Sequence, residues 1–302
     1  MKQANAILGL LAQTSIHAGT GQNTGIIDLP IQREGHNGYP CIYGSAIKGA
    51  LRSHAEAEYG VKDEKVTLGF GPAMSANGGS EYAGALMISD ARILLLPVRS
   101  LTSQFKWVTC PAVLNRFQQD ARRFGISKIN FAIPDPKDNQ EEPIALVPQC
   151  ADNETLFLEE YRLKAQQDNL SQLIKALAGL MQNDLAKENL EQQLVVVSNN
   201  LFNHISQHAT PVNAHIAIDS EIGVVKNGAL WYEETLPPET LLYVGVSANA
   251  ARKKVEAEAH QNTSANAMLS NLTSLFIDKP WLQVGGNETV GMGWCAVKTL
   301  KA

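Results

Sequence analysis

The two ends of this 302-residue chain share the same predicted order of elements, and this order constrains the fold more than any other feature. Near the N-terminus, the sequence predicts a strand, a glycine-rich loop, a helix and a second strand region, over 4–15, 16–44, 45–59 and 84–98. Near the C-terminus, it predicts a strand, a mainly helical stretch and a last strand, over 240–246, 248–277 and 294–298. Ser45 is the predicted N-cap of the first helix. Each end therefore reads as a strand–helix–strand unit.

Between these units, the sequence predicts two insertions. A polar loop over 133–143 opens the first, whose clearest element is an amphipathic helix over 169–193. The second is a hairpin over 209–232, with its turn at 219–223. Two strand–helix–strand units are typical of a ferredoxin-like (RRM-like) sheet, so we predict a single domain of α+β class. Its predicted parts are a ferredoxin-like core over about 1–130 and 236–302, a helical insertion over about 131–205, and a projecting β-hairpin over about 206–235.

Composition limits the classes of function. The net charge of −5 and the pI of about 5.8 argue against a free-standing nucleic-acid binder, although not against a local basic groove or a subunit of an assembly. The four cysteines are scattered and form no C-x-x-C pair, which predicts ordinary buried thiols. No apolar run reaches the length of about 18 residues that a membrane span needs, and no targeting signal is evident. We therefore expect a cytoplasmic protein with no membrane partner.

The stretch 16–34, which reads IHAGTGQNTGIIDLPIQRE, has one acid, Asp28, before its last residue. It leads to the segment 44–52, GSAIKGALR, which places Lys48 and Arg52 one turn apart at the start of a helix. Cations at a helix start, and like charges one turn apart, are each unfavourable by tenths of a kcal/mol up to about 1 kcal/mol. A nearby anion relieves this conflict, and helix starts bind anions through their backbone N–H groups. The sequence thus predicts a phosphate-bearing ligand with one carboxylate beside it.

A second glycine-rich loop, GGNETVGMG, spans 285–293. Dinucleotide and P-loop motifs need a helix directly after their glycines, and here a strand follows, so neither motif is present. Two interpretations remain open. The bare backbone could let a phosphate chain approach closely, or the loop could be a tight turn between strands.

Four further side chains have both a functional and an ordinary interpretation. A lone histidine in a glycine-rich turn, such as His17, is more often structural than catalytic. Asp28 lies among apolar neighbours, so if it is buried it must pair with Arg33, accept a backbone N–H or bind a ligand. Glu233 and Glu234 could help to bind a metal or orient a water, or they could be a solvated acidic pair.

Several stretches together carry a resemblance to a known family. They are HAGTG at 17–21, DLPIQRE at 28–34, GSAIKGALR at 44–52, VRSL at 98–101, VTCP at 108–111, GALWYEE at 228–234 and the loop at 285–293. They resemble the RAMP superfamily of CRISPR proteins and, more narrowly, the repeating backbone subunit of the type III-B (Cmr) effector complex. The resemblance covers nearly the whole chain.

The resemblance implies a right-hand shape, with a ferredoxin-like palm, helical fingers and a β-hairpin thumb. It implies that copies of the chain stack as a filament on guide RNA (crRNA), together with other Cmr subunits. Each thumb would displace a nucleotide of the guide–target duplex, and the target RNA would be cut beside each displaced position. The RNA's own 2′-hydroxyl would be the nucleophile, assisted by Mg²⁺ or another divalent metal.

The resemblance and the residue chemistry together give a predicted site. The predicted catalytic residues are Asp28, which would also hold the metal, His17 and Glu233. The predicted RNA-binding residues are Gln32, Arg33, Ser45, Lys48, Arg52, Gly285, Gly286 and Asn287. One departure from the family pattern lies in the thumb, where Thr210 precedes Pro211 and His215 stands where the family often has other residues, so thumb contacts are expected to be weaker or arranged differently.

Two alternatives remain at this stage. The chain could be a backbone subunit that binds guide RNA without cutting, or a stand-alone nuclease of the same superfamily that processes precursor guide RNA. The retained acid at Asp28 favours the cutting subunit over the first. Processing enzymes tend to rely on histidine-centred chemistry, and the DLPIQRE stretch argues against the second.

Overall fold

The computed structural model describes residues 3–73, 82–137, 142–151, 154–253 and 263–302. In this part of the chain, the strands β1 to β14 are Ala4–Ala12, Cys41–Ile42, Leu86–Ile88, Ala91–Arg99, Phe105–Thr109, Ile144–Val147, Thr155–Leu158, Tyr161–Gln167, Leu194–Val196, Val212–Ile218, Val225–Glu234, Leu241–Ala248, Trp281–Gln283 and Trp294–Lys301. The helices α1 to α7 are Gly44–Tyr59, Glu64–Phe70, Pro111–Arg123, Ser171–Ala178, Ala186–Gln193, Asn199–His208 and Ala265–Thr273.

The centre of the molecule is an antiparallel sheet in the order β14-β1-β12-β4, with α1 after β1 and α7 after β12. This is the arrangement of a ferredoxin-like sheet, so the predicted α+β class and palm are confirmed. The middle strand β1 is buried along nearly its whole length. The stripe that α1 buries is Ile47, Leu51 and Ala55, as its periodicity predicts.

The insertion after α3 differs from its prediction in two ways. The helix predicted over 169–193 is two helices, α4 and α5, because the chain turns at Gly179 and buries Leu180 and Met181. Leu180 then packs against β1, where a Cβ on Gly9 would lie 2.1 Å from the Leu180 oxygen. The helices are present, but the sequence analysis missed the four strands β6 to β9 that accompany them.

These four strands continue the central sheet beyond β5. β9 pairs in parallel with β5, β6 lies beside β9, and β8 and β7 follow toward the edge. Two of them, β6 and β9, are short and buried throughout, without polar alternation. Such runs cannot be distinguished from buried helix by periodicity, which is why the sequence did not reveal them.

The predicted hairpin is confirmed as β10 and β11. These two strands form a separate two-stranded sheet, in which Ala214 lies opposite Tyr232 and Ile216 opposite Leu230. The turn lies where it was predicted, closed by a hydrogen bond of 2.8 Å from the Gly223 N–H to the Asp219 oxygen. The hairpin therefore projects from the sheet and is attached to it at its base.

The last predicted helical region, 248–277, is described in part. Residues 254–262 lie outside the described residues, and α7 and a short 3₁₀ helix at Ser274–Phe276 occupy its end. The division of the chain near residues 131, 206 and 236 stays a prediction. No helix in the described ranges has the length and apolar character needed to cross a membrane.

The contact between Gly9 and Leu180 gives a test of the packing between the palm and the insertion. We expect Gly9→Ala to lower the melting temperature, because the added methyl overlaps backbone of the insertion and overpacking typically costs about 1–3 kcal/mol. Gly49→Ala is the matched control, because a Cβ at this position in α1 meets nothing within 4 Å. It should leave stability unchanged or raise it by up to about 1 kcal/mol. Thermal unfolding followed by circular dichroism measures both, and equal melting temperatures for the two variants would contradict the packing described.

Candidate active site

The base of the hairpin gathers the predicted catalytic residues. One Asp28 carboxylate oxygen, Oδ2, accepts the backbone N–H of Tyr232 at 2.8 Å. The neighbouring Leu29 donates its N–H to the Tyr232 oxygen and accepts the N–H of Glu234, at 3.1 and 3.0 Å. The segment 28–34 therefore runs parallel to the end of β11, joined to it by a short ladder at Leu29 and Glu233.

His17 reaches the same end of β11 from the other glycine-rich turn. Its Nδ1 lies 2.8 Å from the Glu234 backbone oxygen, and since a carbonyl cannot donate, Nδ1 carries the hydrogen. In the neutral ring, Nε2 is then the acceptor. His17 Nδ1 also lies 3.7 Å from Glu233 Oε1, and the histidine is 9% exposed.

The second glycine-rich loop closes over His17. The Gly286 N–H donates to the His17 oxygen at 2.8 Å. Gly285 has a φ of +85°, and a Cβ there would lie 2.5 Å from the same oxygen, so this close approach requires glycine. Asn287 donates from Nδ2 to Glu233 Oε1 at 2.6 Å. Five predicted residues, His17, Glu233, Gly285, Gly286 and Asn287, thus form one contiguous cluster with Asp28 beside it.

One of the two carboxylate oxygens of Asp28 is not engaged by the described part of the protein. The carboxylate is half-buried, and within the described residues its Oδ1 has no hydrogen-bond partner. Of the two ordinary interpretations of Asp28, the hydrogen bond from a backbone N–H is confirmed. The ion pair with Arg33 is wrong, because Arg33 pairs with Glu234. The described parts of the chain contain no group of three or more His, Cys, Asp or Glu that could hold a metal. Among the described residues, Asp28 is therefore the metal ligand that this site offers.

The polar residues of the DLPIQRE stretch are engaged inside the protein. Gln32 donates to the Gly19 oxygen at 3.0 Å and accepts the Tyr43 N–H at 2.6 Å, so it joins the first glycine-rich loop to the start of α1. Arg33 contacts Glu234, and the next residue, Glu34, accepts two hydrogen bonds from Arg116. The predicted contacts of Gln32 and Arg33 with RNA stay predictions.

The start of α1 differs from its prediction. Ser45 is not the N-cap, because the helix begins at Gly44 and Tyr43 precedes it without a side-chain cap. The Gly44 N–H instead donates to Asp90 Oδ1 at 2.7 Å. The chain thus supplies its own anion at this helix start, and a carboxylate there offsets part of the conflict with the cations that follow.

The two cations of α1 differ in their surroundings. Arg52 Nε pairs with Glu56 one turn later, at 2.8 Å. Lys48 is half-buried and has no hydrogen bond or ion pair within the described residues. Ser45 is exposed beside it. Ser45 and Lys48 therefore remain available to a ligand. Arg52 would bind a ligand either by giving up its ion pair with Glu56 or through the N–H groups that this pair does not use.

The structure gives two acids roles that the sequence did not predict, Glu234 as the partner of Arg33 and Asp90 at the start of α1. Glu233 and Glu234 are 4% and 3% exposed, so the solvated-pair interpretation is wrong. Glu234 is the partner of Arg33, although its position after a run of alternating residues gave no sign of this. Asp90 could have been noticed, because it stands at the break between β3 and β4.

The cysteines behave as predicted. Cys41, Cys110 and Cys295 are buried and Cys150 is half-buried, and none forms a disulfide. Burial raises the pKa of the Cys41 thiol to about 11 and that of Cys295 to about 12. These two thiols stay protonated near neutral pH, which makes them poor nucleophiles and poor metal ligands.

Comparison with known proteins agrees with this geometry. The sequence profile of the RAMP superfamily matches residues 10–296. The CRISPR system Cmr endoribonuclease Cmr4 of Pyrococcus furiosus is 35% identical over 298 residues, 98% of this chain and 95% of the relative. The CMR subunit Cmr4 of Saccharolobus solfataricus is 24% identical, over 93% of this chain and 92% of its own length.

Solved structures match over the same length. The crystal structure of oligomeric Cmr4 from Pyrococcus furiosus has a TM-score of 0.74 and 28% identity, covering 100% of this chain and 99% of the other. A subunit in the cryo-EM structure of the type III-B Cmr-β complex bound to cognate target RNA shares the fold, with a TM-score of 0.70, 20% identity and coverage of 99% and 97%. The chain therefore belongs to the RAMP superfamily and, within it, to the Cmr4 family.

Proposed function

We propose that this chain is the RNA-cleaving backbone subunit of a type III-B (Cmr) CRISPR ribonucleoprotein. In this role it binds guide RNA as a filament of its own copies, beside other Cmr subunits, and cuts target RNA at regular intervals. The relative that is named a Cmr endoribonuclease aligns with 98% of the chain, and a solved relative is named as oligomeric. Both support a cutting subunit that works in several copies.

The observation that carries the proposal is the position of Asp28. Its carboxylate is fixed by the Tyr232 N–H at the root of the projecting hairpin, and its second oxygen has no partner in the described structure. A subunit that only bound guide RNA would gain nothing from an acid held at this place. Asp28 therefore favours the cutting subunit over the guide-binding alternative.

The surface of the hairpin supports contact with a partner. Ile216, Leu230 and Tyr232 lie on one face, because directly opposite residues of paired strands share a face. They are 50%, 55% and 42% exposed. Contiguous apolar surface of this kind marks an interaction site, and unstacked bases of a guide–target duplex present apolar faces that fit it.

The chemistry follows from alignment of the RNA. Displacing one nucleotide can bring its 2′-hydroxyl into line with the adjacent phosphate, and good alignment of two groups is worth up to about 7–11 kcal/mol. Asp28 Oδ1 either accepts the proton of the hydroxyl directly as general base or would hold a hydrated Mg²⁺ that assists its removal. The 2′-oxygen then bonds to phosphorus as the bond from phosphorus to the 5′-oxygen breaks, and the leaving 5′-oxygen takes a proton from water. Glu233 follows Tyr232 on β11, and His17 lies against it from the first glycine-rich turn. The hydrogen bond from Asn287 to Glu233 attaches the loop 285–293, which faces RNA in this proposal.

A divalent metal fits this donor set in one way. Asp28 Oδ1 is one carboxylate oxygen, so a bound Mg²⁺ would complete its shell with RNA phosphates and water, as Mg²⁺ commonly does. It would supply charge neutralisation at the scissile phosphate. The protein's own part is to hold the carboxylate with its free oxygen turned away from the Tyr232 N–H.

The cations of α1 give the guide RNA its attachment in this proposal. Lys48 and Arg52 lie on successive turns of one helix, so both can contact neighbouring phosphates of one strand. Phosphate contacts bind RNA without reading its sequence, as a guide-binding filament requires. The net charge of −5 does not conflict with this, because the attraction is local and is screened within about 10 Å.

Asp28→Ala should abolish target cleavage in the assembled complex. General acid–base groups contribute about 10²–10⁴-fold in rate, so at least a 100-fold slower single-turnover rate is expected. The residual rate should no longer respond to Mg²⁺, while guide binding and assembly stay intact. Asp28→Asn is the control, because it keeps an acceptor for the Tyr232 N–H without the charge, and it should be equally inactive. Cleavage near the wild-type rate in either variant would end the catalytic assignment.

Removing both α1 cations should weaken RNA binding without changing sequence preference. In Lys48→Ala/Arg52→Ala, each lost phosphate contact should flatten the dependence of log K on log salt by about one unit. Arg162→Ala/Lys187→Ala is the matched control, since it removes the same charge from exposed ion pairs in the insertion. Fluorescence anisotropy at several salt concentrations measures both. The same slope in both double variants would show that Lys48 and Arg52 do not face RNA.

Shortening the hairpin should slow cutting and leave guide binding unchanged. Replacing residues 219–223 by a short Gly-Ser turn removes only the tip. The contacts of β11 with the segment 28–34 lie at the opposite end of the hairpin, so the palm should stay folded. Without the tip, the duplex is no longer splayed and the 2′-hydroxyl is not aligned near Asp28. Product mapping on a labelled target gives cut positions and rates. Cuts at the same positions and the same rate would mean that the hairpin serves as a contact between subunits.

A further inference from the structure

A buried ion pair ties the hairpin to the segment that carries Asp28. Arg33 Nη2 donates to Glu234 Oε1 and, at 3.2 Å, to Thr210 Oγ1. Thr210 Oγ1 in turn donates to Glu234 Oε1 at 2.6 Å. Thr210 lies just before β10, and Glu234 ends β11, so one guanidinium contacts both ends of the hairpin.

The same groups also fix the segment and the helix before the hairpin. The second Glu234 oxygen, Oε2, accepts the Ile31 N–H at 3.1 Å. Arg33 Nη1 donates to the backbone oxygens of Gly38 and Ser206, both at 2.9 Å. Ser206 belongs to the last turn of α6. Arg33 and Glu234 therefore join α6, both hairpin strands and the segment 28–38 at one point.

The Arg33–Glu234 ion pair and the Asp28 contact lie at the two ends of the short pairing between the segment 28–34 and β11. At one end the Asp28 carboxylate accepts the Tyr232 N–H, and at the other the Arg33 guanidinium pairs with the Glu234 carboxylate. Leu29 bonds to β11 between them. A change in the angle of the hairpin must therefore move Asp28 relative to the palm, unless this pairing breaks.

We propose that Arg33 and Glu234 are positioning residues for cleavage. They set the angle at which the hairpin leaves the palm and so hold Asp28 where the displaced nucleotide is cut. Arg33 acts through Glu234 and not by binding RNA. This inference rests on the proposed function as an RNA-cleaving subunit.

The geometry favours positioning over an RNA contact for Arg33. Its side chain is 22% exposed, and four of its five N–H donors already have partners within the protein. Its partner Glu234 is 3% exposed, so turning Arg33 toward a phosphate would leave a buried carboxylate without its cation. Such an unpaired buried charge is strongly unfavourable. Lysine cannot replace Arg33, because a single ammonium lacks the planar fork that reaches four acceptors.

The test separates cleavage rate from affinity in the complex assembled with guide RNA. The variants are Arg33→Met, Arg33→Lys and the milder Thr210→Val, which removes one hydrogen bond to Glu234 and keeps the shape of the side chain. Arg99→Met is the matched control, because it breaks an exposed arginine–glutamate pair elsewhere, with Glu159. Single-turnover rates at saturating target, target dissociation constants and the salt dependence of binding are measured for each.

We expect Arg33→Met to slow cleavage by about 10–100-fold, since a misplacement of about 1 Å can cost about 100-fold. Target and guide affinity should stay within about twofold of wild type, with an unchanged salt slope. Arg33→Lys should not restore the rate, Thr210→Val should show a smaller loss of the same kind, and Arg99→Met should match wild type. If Arg33→Met does not assemble, Arg33→Lys and Thr210→Val still test the split between rate and affinity.

Three results would overturn the inference. Wild-type rates in all variants would show that the Arg33–Glu234 ion pair does not position Asp28. A weaker affinity with a flatter salt slope and an unchanged saturating rate in Arg33→Met would show that Arg33 binds phosphate directly. Parallel losses of affinity, rate and melting temperature would show a structural role alone. A wild-type complex that does not cut target RNA is a different outcome, which refutes the proposed function itself.

Discussion

The short parallel pairing between the segment 28–34 and the end of β11 is the contact on which the site depends. It consists of two backbone hydrogen bonds at Leu29, the Asp28 carboxylate on the Tyr232 N–H, and the Glu234 carboxylate on the Ile31 N–H. The hairpin has no other strand partner in the described structure. Because each of these bonds contributes only about 1 kcal/mol, or somewhat more where a carboxylate takes part, their cooperation and burial are what keep the hairpin in one orientation.

Internal pairing explains how an acidic chain can present a site for RNA. Glu234 is paired with Arg33, and Glu34 receives two hydrogen bonds from Arg116, both in largely buried surroundings. The charges of these acids are therefore offset before any ligand arrives. Asp28 is left as the acid beside the predicted RNA path, and the net charge of −5 says little about the field at that point.

Elements with a clear period were predictable, and contacts between distant residues were not. The helix α1 followed from its 3.6-residue stripe, the hairpin from alternation on either side of a turn, and β1 from a long apolar run. The strands β6 and β9 were missed because short buried runs carry no period, whereas β7 and β8 bury alternate residues and were overlooked despite this alternation. The helix over 169–193 was predicted whole because its stripe continues across Gly179.

Sequence reasoning placed His17, Asp28 and Glu233 in one site only through a family resemblance. His17 and Asp28 are held by partners more than 200 positions away, Glu234 and Tyr232. Such pairing depends on how the whole chain folds. The same limit applies to Arg33, since nothing local in the DLPIQRE stretch indicates that its cation is paired with Glu234.

The proposed regular spacing of cuts has a physical reason in this arrangement. Asp28 is bonded to the backbone of the hairpin, so the proposed catalytic oxygen and the element that would displace the nucleotide are one mechanical unit. In a filament, each copy would then bring one acid to one displaced position, wherever the hairpin enters the duplex. The interval between cuts would then be set by the distance between copies along the guide. Base identity would have no part in this interval, because it depends on where the copies lie on the guide, and their phosphate contacts read no base.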